Sequence, residues 1–253
     1  MKEEPPEDFR KILEKVARQK RSILSVFRDF CKLTACVLAA QTREDEYLEV
    51  AKSYHKDDLK RFSEALASLV DEMQNTPFTD LLGTYYTEIG SKADISARGE
   101  FFTPKPVCSA MARMLIDVDQ VKEEGRSITV NDPACGSGGI PLAVAERFAP
   151  GDVDLLRVTC QDISEHSCDM CYINMTMWGI PAKIIWGDSL RMTVENMWCS
   201  IHWFRVGEHF RERFQTVRRL MEGLPQETSS SETNPEKVLI SGIEERSQSS
   251  FDF

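Results

Sequence analysis

Residues 128–144, "ITVNDPACGSGGIPLAV", decide the fold of this chain. An apolar run ends in Asn131-Asp132-Pro133, a loop carries three glycines, and the apolar sequence that follows is typical of a helix. A glycine-rich loop between a strand and a helix lets backbone approach a ligand and offers N–H groups at the helix N-terminus. The stretch therefore predicts an anion-binding turn in a doubly wound α/β fold.

Alternating strand and helix patterns follow this loop. We predict strands at 127–131, 155–161 and 183–186, and helices at 139–148 and 164–178. Strands that alternate with helices are joined by crossovers and form a parallel sheet. Beyond Asp188 the pattern loosens, and it indicates a strand within 194–204 and a helix at 208–221.

The first hundred residues predict helices only. Apolar residues recur at helical spacing, which indicates one amphipathic helix over 7–40, a second over 57–74 and a third from Thr79 to Gly90. Another helix follows "GEFFTP", with Thr103 as its N-cap and Pro104 at its first position. We expect a helical domain over 1–98, a Rossmann-like α/β domain over 99–223 and a polar, disordered tail over 224–253.

Composition and charge set limits on the function. The chain of 253 residues is 42% hydrophobic, enough for a sizeable core. A net charge of -10 argues against a surface that coats nucleic acid throughout, although basic residues cluster within 9–28 and 205–219. Because the sequence has neither a membrane-spanning apolar run nor a signal core, we expect a cytoplasmic protein with no membrane partner.

Eight scattered cysteines are typical of free thiols in a reducing compartment. Cys168 and Cys171 have CxxC spacing, with His166 nearby, but the sequence has no second pair. The segment predicts a helix on which both cysteines and Met175 share one face. We therefore expect core cysteines and no metal site.

Three ligands would suit the glycine loop: a dinucleotide pyrophosphate, a nucleotide triphosphate, and the methionine end of S-adenosyl-L-methionine. The loop lacks the following Lys-Ser or Lys-Thr of a P-loop, and its glycine spacing differs from the dinucleotide motif. Asp132 would repel a pyrophosphate, whereas it could accept from an ammonium group. Asp162 and Asp188 end the next two strands, where they could meet ribose and adenine. The residues thus favour S-adenosyl-L-methionine.

The same segments resemble the gamma-class adenine-N6 DNA methyltransferases, specifically the modification subunits of type I restriction systems. The resemblance rests on "DLLGTYYTEIG", "GEFFTP", "DPACGSGG", "QDIS" and "WGDSL", in that order along the chain. It implies S-adenosyl-L-methionine as cofactor, DNA as substrate, and a specificity or restriction subunit as partner. By position it implies that the cofactor lies against Phe101, Phe102, Thr103, Pro104, Asp132, Gly136, Ser137, Gly138, Gly139, Asp162 and Asp188.

One motif of that family is missing. Its members hold a flipped target adenine with an Asn-Pro-Pro-aromatic motif at the end of the fourth strand. This sequence has no Asn-Pro-Pro after Asp188, and Asn234-Pro235 lies in the polar tail. The sheet also has room for only three or four strands, whereas the resemblance implies about seven. The catalytic residues therefore stay unknown.

A substitute for the missing motif could lie within the Trp-rich segment that ends at Phe204. Two groups there place a polar residue beside an aromatic ring: Asn196 with Met197 and Trp198, or His202 with Trp203 and Phe204. Such a segment also suits a core or a partner surface. Three functions stay open: an adenine-N6 DNA methyltransferase of a restriction-modification-type system, a catalytically silent cofactor-binding or regulatory module that acts with a partner chain, and a methyltransferase for another substrate.

Overall fold

The computed structural model describes residues 8–18, 21–40, 42–90, 102–148 and 151–204, all within one compact unit that spans residues 1–211. Several expectations lie outside these described residues. They are the domain boundary at 98, Phe101, the basic cluster at 205–219, the helix at 208–221 and the tail at 224–253. The proposed division into three domains stays a prediction.

The N-terminal segment forms two helices, α1 (Phe9–Ala17) and α2 (Ile23–Leu38). The prediction of one continuous helix over 7–40 was wrong. Ser22 has an extended backbone, and its hydroxyl accepts a hydrogen bond from the Ser25 N–H at 3.1 Å, which starts a new helix. The apolar spacing continues on both sides of this cap, so periodicity alone did not show the break.

Three further helices follow: α3 (Glu44–Ala51), α4 (Lys56–Asn75) and α5 (Leu81–Ile89). The last two match the predicted helices, and Asp80 caps α5 by accepting from the Gly83 N–H at 2.9 Å. The sequence did not predict α3 separately, because this helix buries no residue and so shows no apolar stripe.

Two short helices, α6 (Lys105–Leu115) and α7 (Val118–Glu124), precede the sheet. The prediction of Thr103 as N-cap and Pro104 as first helical residue was wrong. Pro104 is itself the N-cap residue, with an extended ψ of 143°, and α6 begins one residue later. Pro106 supplies the proline of the first turn.

The predicted α/β architecture is confirmed as a four-stranded sheet in the order β1-β2-β3-β4. β1 pairs with β2 in parallel, and so does β2 with β3, with α8 and α9 between them in the chain. The bounds are β1 (Ile128–Asp132), α8 (Gly139–Phe148), β2 (Leu156–Asp162), α9 (Glu165–Met177), β3 (Ala182–Trp186) and β4 (Asn196–Cys199).

The fourth strand runs antiparallel to β3, with Trp186 opposite Asn196. It is shorter than the segment 194–204 in which a strand was predicted. Only residues 187–195 separate β3 from β4, which is too few for the crossover of about a dozen residues that a parallel strand needs. The parallel part of the sheet therefore ends at β3.

Helix α9 joins the helical region to the sheet. It packs against α2 on one side and against β2 and β3 on the other. Arg43 forms a buried ion pair with Asp169 of α9 at 2.8 Å, and its guanidinium lies 4.2 Å from the ring centroid of Trp198. Among the described residues, no helix combines the length and apolar character needed to span a bilayer.

Candidate functional site

The carboxyl ends of the three parallel strands bring the loop and the three acidic residues to one edge of the sheet. In the register of the sheet, Asp132 lies opposite Cys160, and Asp162 lies opposite Trp186. The Gly187 N–H, just past β3, donates to the Asp162 carbonyl at 2.9 Å. The edge where open α/β sheets bind ligands therefore carries Asp132, Asp162 and Asp188, as the sequence predicted.

The glycine loop needs glycine for two separate reasons. Gly136 and Gly138 have φ angles of 54° and 91°, a region that other residues adopt only with strain. A Cβ atom on Gly138 would lie 2.9 Å from Met175 Cε and 3.0 Å from Cys171 Sγ. The loop therefore packs directly on α9, and Gly139 begins α8. This close packing sets the position of the α8 N-terminus.

Ser137 of the loop forms a polar cluster with Asp80 and Asn174. Its hydroxyl is hydrogen-bonded to the carboxylate of Asp80, and the Asn174 side-chain amide donates to Asp80 Oδ1 at 3.0 Å and to the Ser137 carbonyl at 2.9 Å. Burial raises the pKa of Asp80, against hydrogen bonds from Ser137, Gly83 and Asn174 that lower it. The cluster fixes the loop to α5 and α9.

Asp80 and Asn174 were not among the site residues that the sequence predicted. Asp80 heads the "DLLG" segment that already contributed to the resemblance, and its position before an apolar run is typical of an N-cap. Asn174 gave no such signal, because it lies in a helix of which almost every residue is buried. Its partner across 94 positions of sequence is visible only in the fold.

One carboxylate oxygen of Asp132 accepts no hydrogen bond from any residue that the structure describes. Its Oδ1 accepts from the Ala134 N–H at 3.3 Å, whereas its Oδ2 is buried with no hydrogen-bond partner among the described residues. Burial raises the pKa of Asp132 to about 6, and the nearby Cys160 and Asp162 add to this, against the Ala134 N–H. A buried unpaired carboxylate oxygen is costly and suits a cationic group of a ligand.

Asp162 positions the loop. Its Oδ2 accepts from the Gly136 N–H at 2.8 Å, and its Oδ1 accepts from the Ser164 N–H at 2.9 Å, one residue before α9. An ionised carboxylate has about four lone-pair sites, so these two bonds do not exhaust what the group can accept.

Asp188 makes local contacts. Its Oδ1 accepts from the N–H groups of Leu190 and Arg191 at 2.9 and 3.0 Å, and Arg191 Nε lies 3.6 Å from its Oδ2. The carboxylate thus closes a turn after β3. This turn keeps Asp188 at the shared edge of the sheet.

The segment 102–104 covers the loop from the side of α5. Phe102 packs edge-on against Tyr86 with ring centroids 5.5 Å apart, and its ring lies 3.5 Å from where a Cβ on Gly136 would be. The Thr103 carbonyl accepts from the Cys108 thiol at 3.3 Å, while Pro104 leads into α6. Phe101 lies outside the described residues.

A cavity of about 300 Å³ opens between α5 and the start of α6. Its lining includes Asp80, Phe102, Thr103, Pro104 and Gly139, and none of the three acidic residues at the strand ends. The covering segment and the loop therefore share a cavity, while the acidic residues lie outside it.

Comparisons with known proteins show the family of this chain. The profile of the N-6 DNA Methylase family matches residues 78–216, more than half of the chain. The chain belongs to the N-6 DNA methylase family. The methylase subunit of the type I restriction enzyme MpnII from Mycoplasma pneumoniae is 25% identical over 167 residues, which are 64% of this chain and 28% of that subunit. The N-6 DNA methylase chain thus spans less than a third of this relative.

Two crystal structures share weaker similarity. A protein from Listeria monocytogenes, assigned as a class I S-adenosylmethionine-dependent methyltransferase, aligns with a TM-score of 0.42 at 12% identity, over 72% of this chain and 53% of its own. The type I restriction-modification methyltransferase subunit from Streptococcus thermophilus aligns with a TM-score of 0.33 at 17% identity, over 72% and 50%. Scores at this level do not establish a common fold.

Much of the aromatic segment of this N-6 DNA methylase chain packs against the fold. Trp198 is buried beneath Arg43, so its ring is not available to stack on a base. The charged groups of Arg157 and Lys183 lie 5.0 and 5.3 Å from the ring centroid of Trp203, and His202 Nε2 is 3.1 Å from the Thr176 carbonyl. These contacts favour a core role for Trp198, and a substitute base pocket elsewhere in the segment stays a prediction.

The CxxC cysteines contact different groups. The Cys168 thiol faces the carbonyls of Asp162 and Ile185 at 3.6 and 3.5 Å, whereas Cys171 points toward the glycine loop. His166 packs against the ring of Tyr86, at a centroid distance of 4.9 Å. The CxxC spacing therefore does not assemble a metal site with His166.

Proposed function

We propose that this N-6 DNA methylase chain binds S-adenosyl-L-methionine and serves methyl transfer to N6 of adenine in DNA, in a restriction-modification-type system. The carrying observation is the buried Oδ2 of Asp132, which has no hydrogen-bond partner among the described residues. The methionine end of the cofactor has both an ammonium and a carboxylate. Asp132 would accept from the first, and the N-terminus of α8 would face the second.

The other proposed contacts follow the positions of the strands. Asp162 would accept from the ribose hydroxyls, and Asp188 would meet the adenine. When bound, the cofactor supplies a methyl group on a positively charged sulfur. The loop and the covering segment would enclose it through Phe101, Phe102, Thr103, Pro104, Gly136, Ser137, Gly138 and Gly139.

The chain offers fewer residues for binding the target adenine than for binding the cofactor. The sequence has no Asn-Pro-Pro-aromatic motif after Asp188, and Trp198 is buried. The chain therefore supports cofactor binding better than it supports base binding. DNA contact would come through a partner subunit, of the specificity or restriction kind that the resemblance implies.

A second candidate function is a catalytically silent cofactor-binding or regulatory module that acts with a partner chain. Within the described residues β1 is an edge strand that pairs with β2 alone, and the unpaired backbone groups of an edge strand can pair with another chain. The neighbouring helix α6 exposes four apolar side chains, which fits an interaction surface. These are Val107, Met111, Met114 and Leu115, at 47, 38, 87 and 62% exposure.

Calorimetric titration with S-adenosyl-L-methionine tests the shared premise. We expect saturable binding to the wild-type chain and weaker binding by about 1 to 3 kcal/mol for Asp162→Ala, because the ribose hydroxyls lose an acceptor. If the titration gave neither heat nor a thermal shift, both proposed functions would be contradicted. Equal affinity of the Asp162→Ala variant and the wild-type chain would contradict the proposed contact between Asp162 and the ribose hydroxyls.

Transfer of a tritiated methyl group to mixed DNA separates the two functions. The silent-module hypothesis predicts no incorporation by the purified chain, with or without added partner subunits. Incorporation by the chain alone would refute it and would establish the enzyme. Incorporation only with a partner would show that the partner completes the target side.

A further inference from the structure

Three thiols meet beneath the glycine loop. Cys135 belongs to the loop, Cys160 to β2 and Cys171 to α9, and their Sγ atoms all lie within 4.8 Å of one another. All three are buried. They are far apart in sequence, and the proposed cofactor contacts use none of them.

The three sulfurs are soft, polarizable donors that come from three separate segments of the fold. A cysteine binds a metal ion as its thiolate, so binding would displace the thiol protons.

The spacing of the sulfurs suits a metal ion. A metal–sulfur distance of about 2.3 Å in a flat three-sulfur site corresponds to a sulfur–sulfur distance of about 4 Å. The observed separations reach at most 4.8 Å, so the thiols need to close by less than about 1 Å.

The kind of donor selects the ion. Structural zinc takes four ligands, whereas this cluster offers three thiols. A set of three soft thiolate donors favours Cu(I).

We propose that Cys135, Cys160 and Cys171 form a Cu(I) site beneath the glycine loop. Binding releases the thiol protons to solvent, so the affinity rises with pH. Because Cys135 lies in the loop, the ion would tie the loop to β2 and α9. This inference does not depend on the proposed methyl transfer.

Copper transfer from a chromophoric chelator tests the site. The reduced chain is titrated without oxygen against a Cu(I)–bicinchoninate complex, and we expect one equivalent of copper to move to the protein. Replacing Cys135, Cys160 or Cys171 by Ser should weaken binding by more than about 100-fold, since outer-shell partners alone contribute roughly 10- to 100-fold. Cys168→Ser is the matched control, because that thiol is buried on the same helix outside the cluster.

Copper that stays with the chelator, or equal loss of copper in Cys168→Ser, would overturn the site. If the cluster variants fail to fold, X-ray absorption of the copper-loaded wild-type chain decides. A shell of three or more sulfur atoms supports the site, and a shell with nitrogen or oxygen refutes it. Tighter binding of Zn(II) than of Cu(I), measured in the same way, would overturn the choice of ion.

Discussion

The glycine loop at residues 132–139 and the segment at residues 187–204 both follow strands of one sheet, yet they are held in different ways. Three elements hold the loop, through Asp80 before α5, Asp162 at the end of β2 and Asn174 in α9. The later segment begins with local turns around Asp188 and then adds the short strand β4, and it exposes Leu190 and Phe204 at 95 and 75%.

The difference matches the sequence motifs. Contacts from three elements hold the segment that resembles the cofactor motifs, and such preorganisation would lower the entropy cost of binding a ligand. The segment where the base-binding motif should follow starts with an exposed turn and carries several exposed apolar residues. We therefore expect substitutions in the loop and its support to have larger effects than substitutions in the exposed turn.

Removing the anchor of the loop should have the largest effect. Asp80→Ala leaves the Ser137 hydroxyl and the Gly83 N–H without this acceptor and removes one of the two acceptors of the Asn174 amide. We expect the free energy of unfolding to fall by about 2 to 4 kcal/mol. The control is Asp117→Ala, which removes the exposed N-cap of α7 and should cost about 1 kcal/mol. Urea unfolding measures both. Similar losses would show that the cluster does not anchor the loop.

Adding a methyl group between the loop and α9 should have the second largest effect on stability. Gly138→Ala puts a methyl group against Met175 and Cys171, in addition to the strain of a positive φ. Gly151→Ala has the same kind of strain, with a φ of 98°, but meets nothing within 4 Å. We expect Gly138→Ala to cost about 1 to 3 kcal/mol more than the control in thermal or urea unfolding. Equal costs would mean that the loop is free to move away from α9.

Asp132 should make the unliganded chain less stable at neutral pH. Its pKa in the fold is about 6 against an ordinary 3.8, so the folded chain holds a proton that the unfolded chain releases. Stability from this group is therefore present at about pH 4 and is lost as the pH rises through about 6. Because the group is partly exposed, we expect Asp132→Asn to gain only about 1 to 2 kcal/mol at pH 7.5, and less at pH 5. Urea unfolding at both pH values checks this, and a gain that does not depend on pH would contradict it.

Changes in the exposed turn should have the smallest effect. Leu190→Ser should alter the free energy of unfolding by less than about 0.5 kcal/mol, because the side chain contacts mostly solvent. The buried control Leu142→Ser should be strongly destabilising. A large loss for Leu190→Ser in urea unfolding would show that the segment is packed in solution.

The sequence predicted the parts of the fold in which local signals agree with tertiary packing. The three parallel strands, α8, α9 and the positions of Asp132, Asp162 and Asp188 followed from periodicity and from the glycine loop. It did not predict the break at Ser22, the separate helix α3, which has only a weak apolar stripe, or the antiparallel direction of β4. Helix caps and loop length determine these features, and apolar spacing carries no information about either.

The sequence predicted the backbone of the glycine loop, but it did not predict the side chains that hold the loop in place. Gly136 and Gly138 stood out as loop residues, but the packing of Gly138 on α9 depends on Met175, far along the chain. Asn174 and the three-thiol cluster also join distant segments. Contacts between distant segments leave no pattern in a single sequence.

The pH dependence of cofactor affinity tests the central claim most directly. Calorimetric titration with S-adenosyl-L-methionine is carried out on the wild-type chain and on Asp132→Asn, from pH 5 to pH 7.5. If an ionised Asp132 holds the cofactor ammonium, wild-type affinity should rise by roughly tenfold between pH 5 and pH 7, and the variant should be weaker at pH 7 with little pH dependence. Equal affinity and equal pH dependence in the two chains would contradict the proposed site.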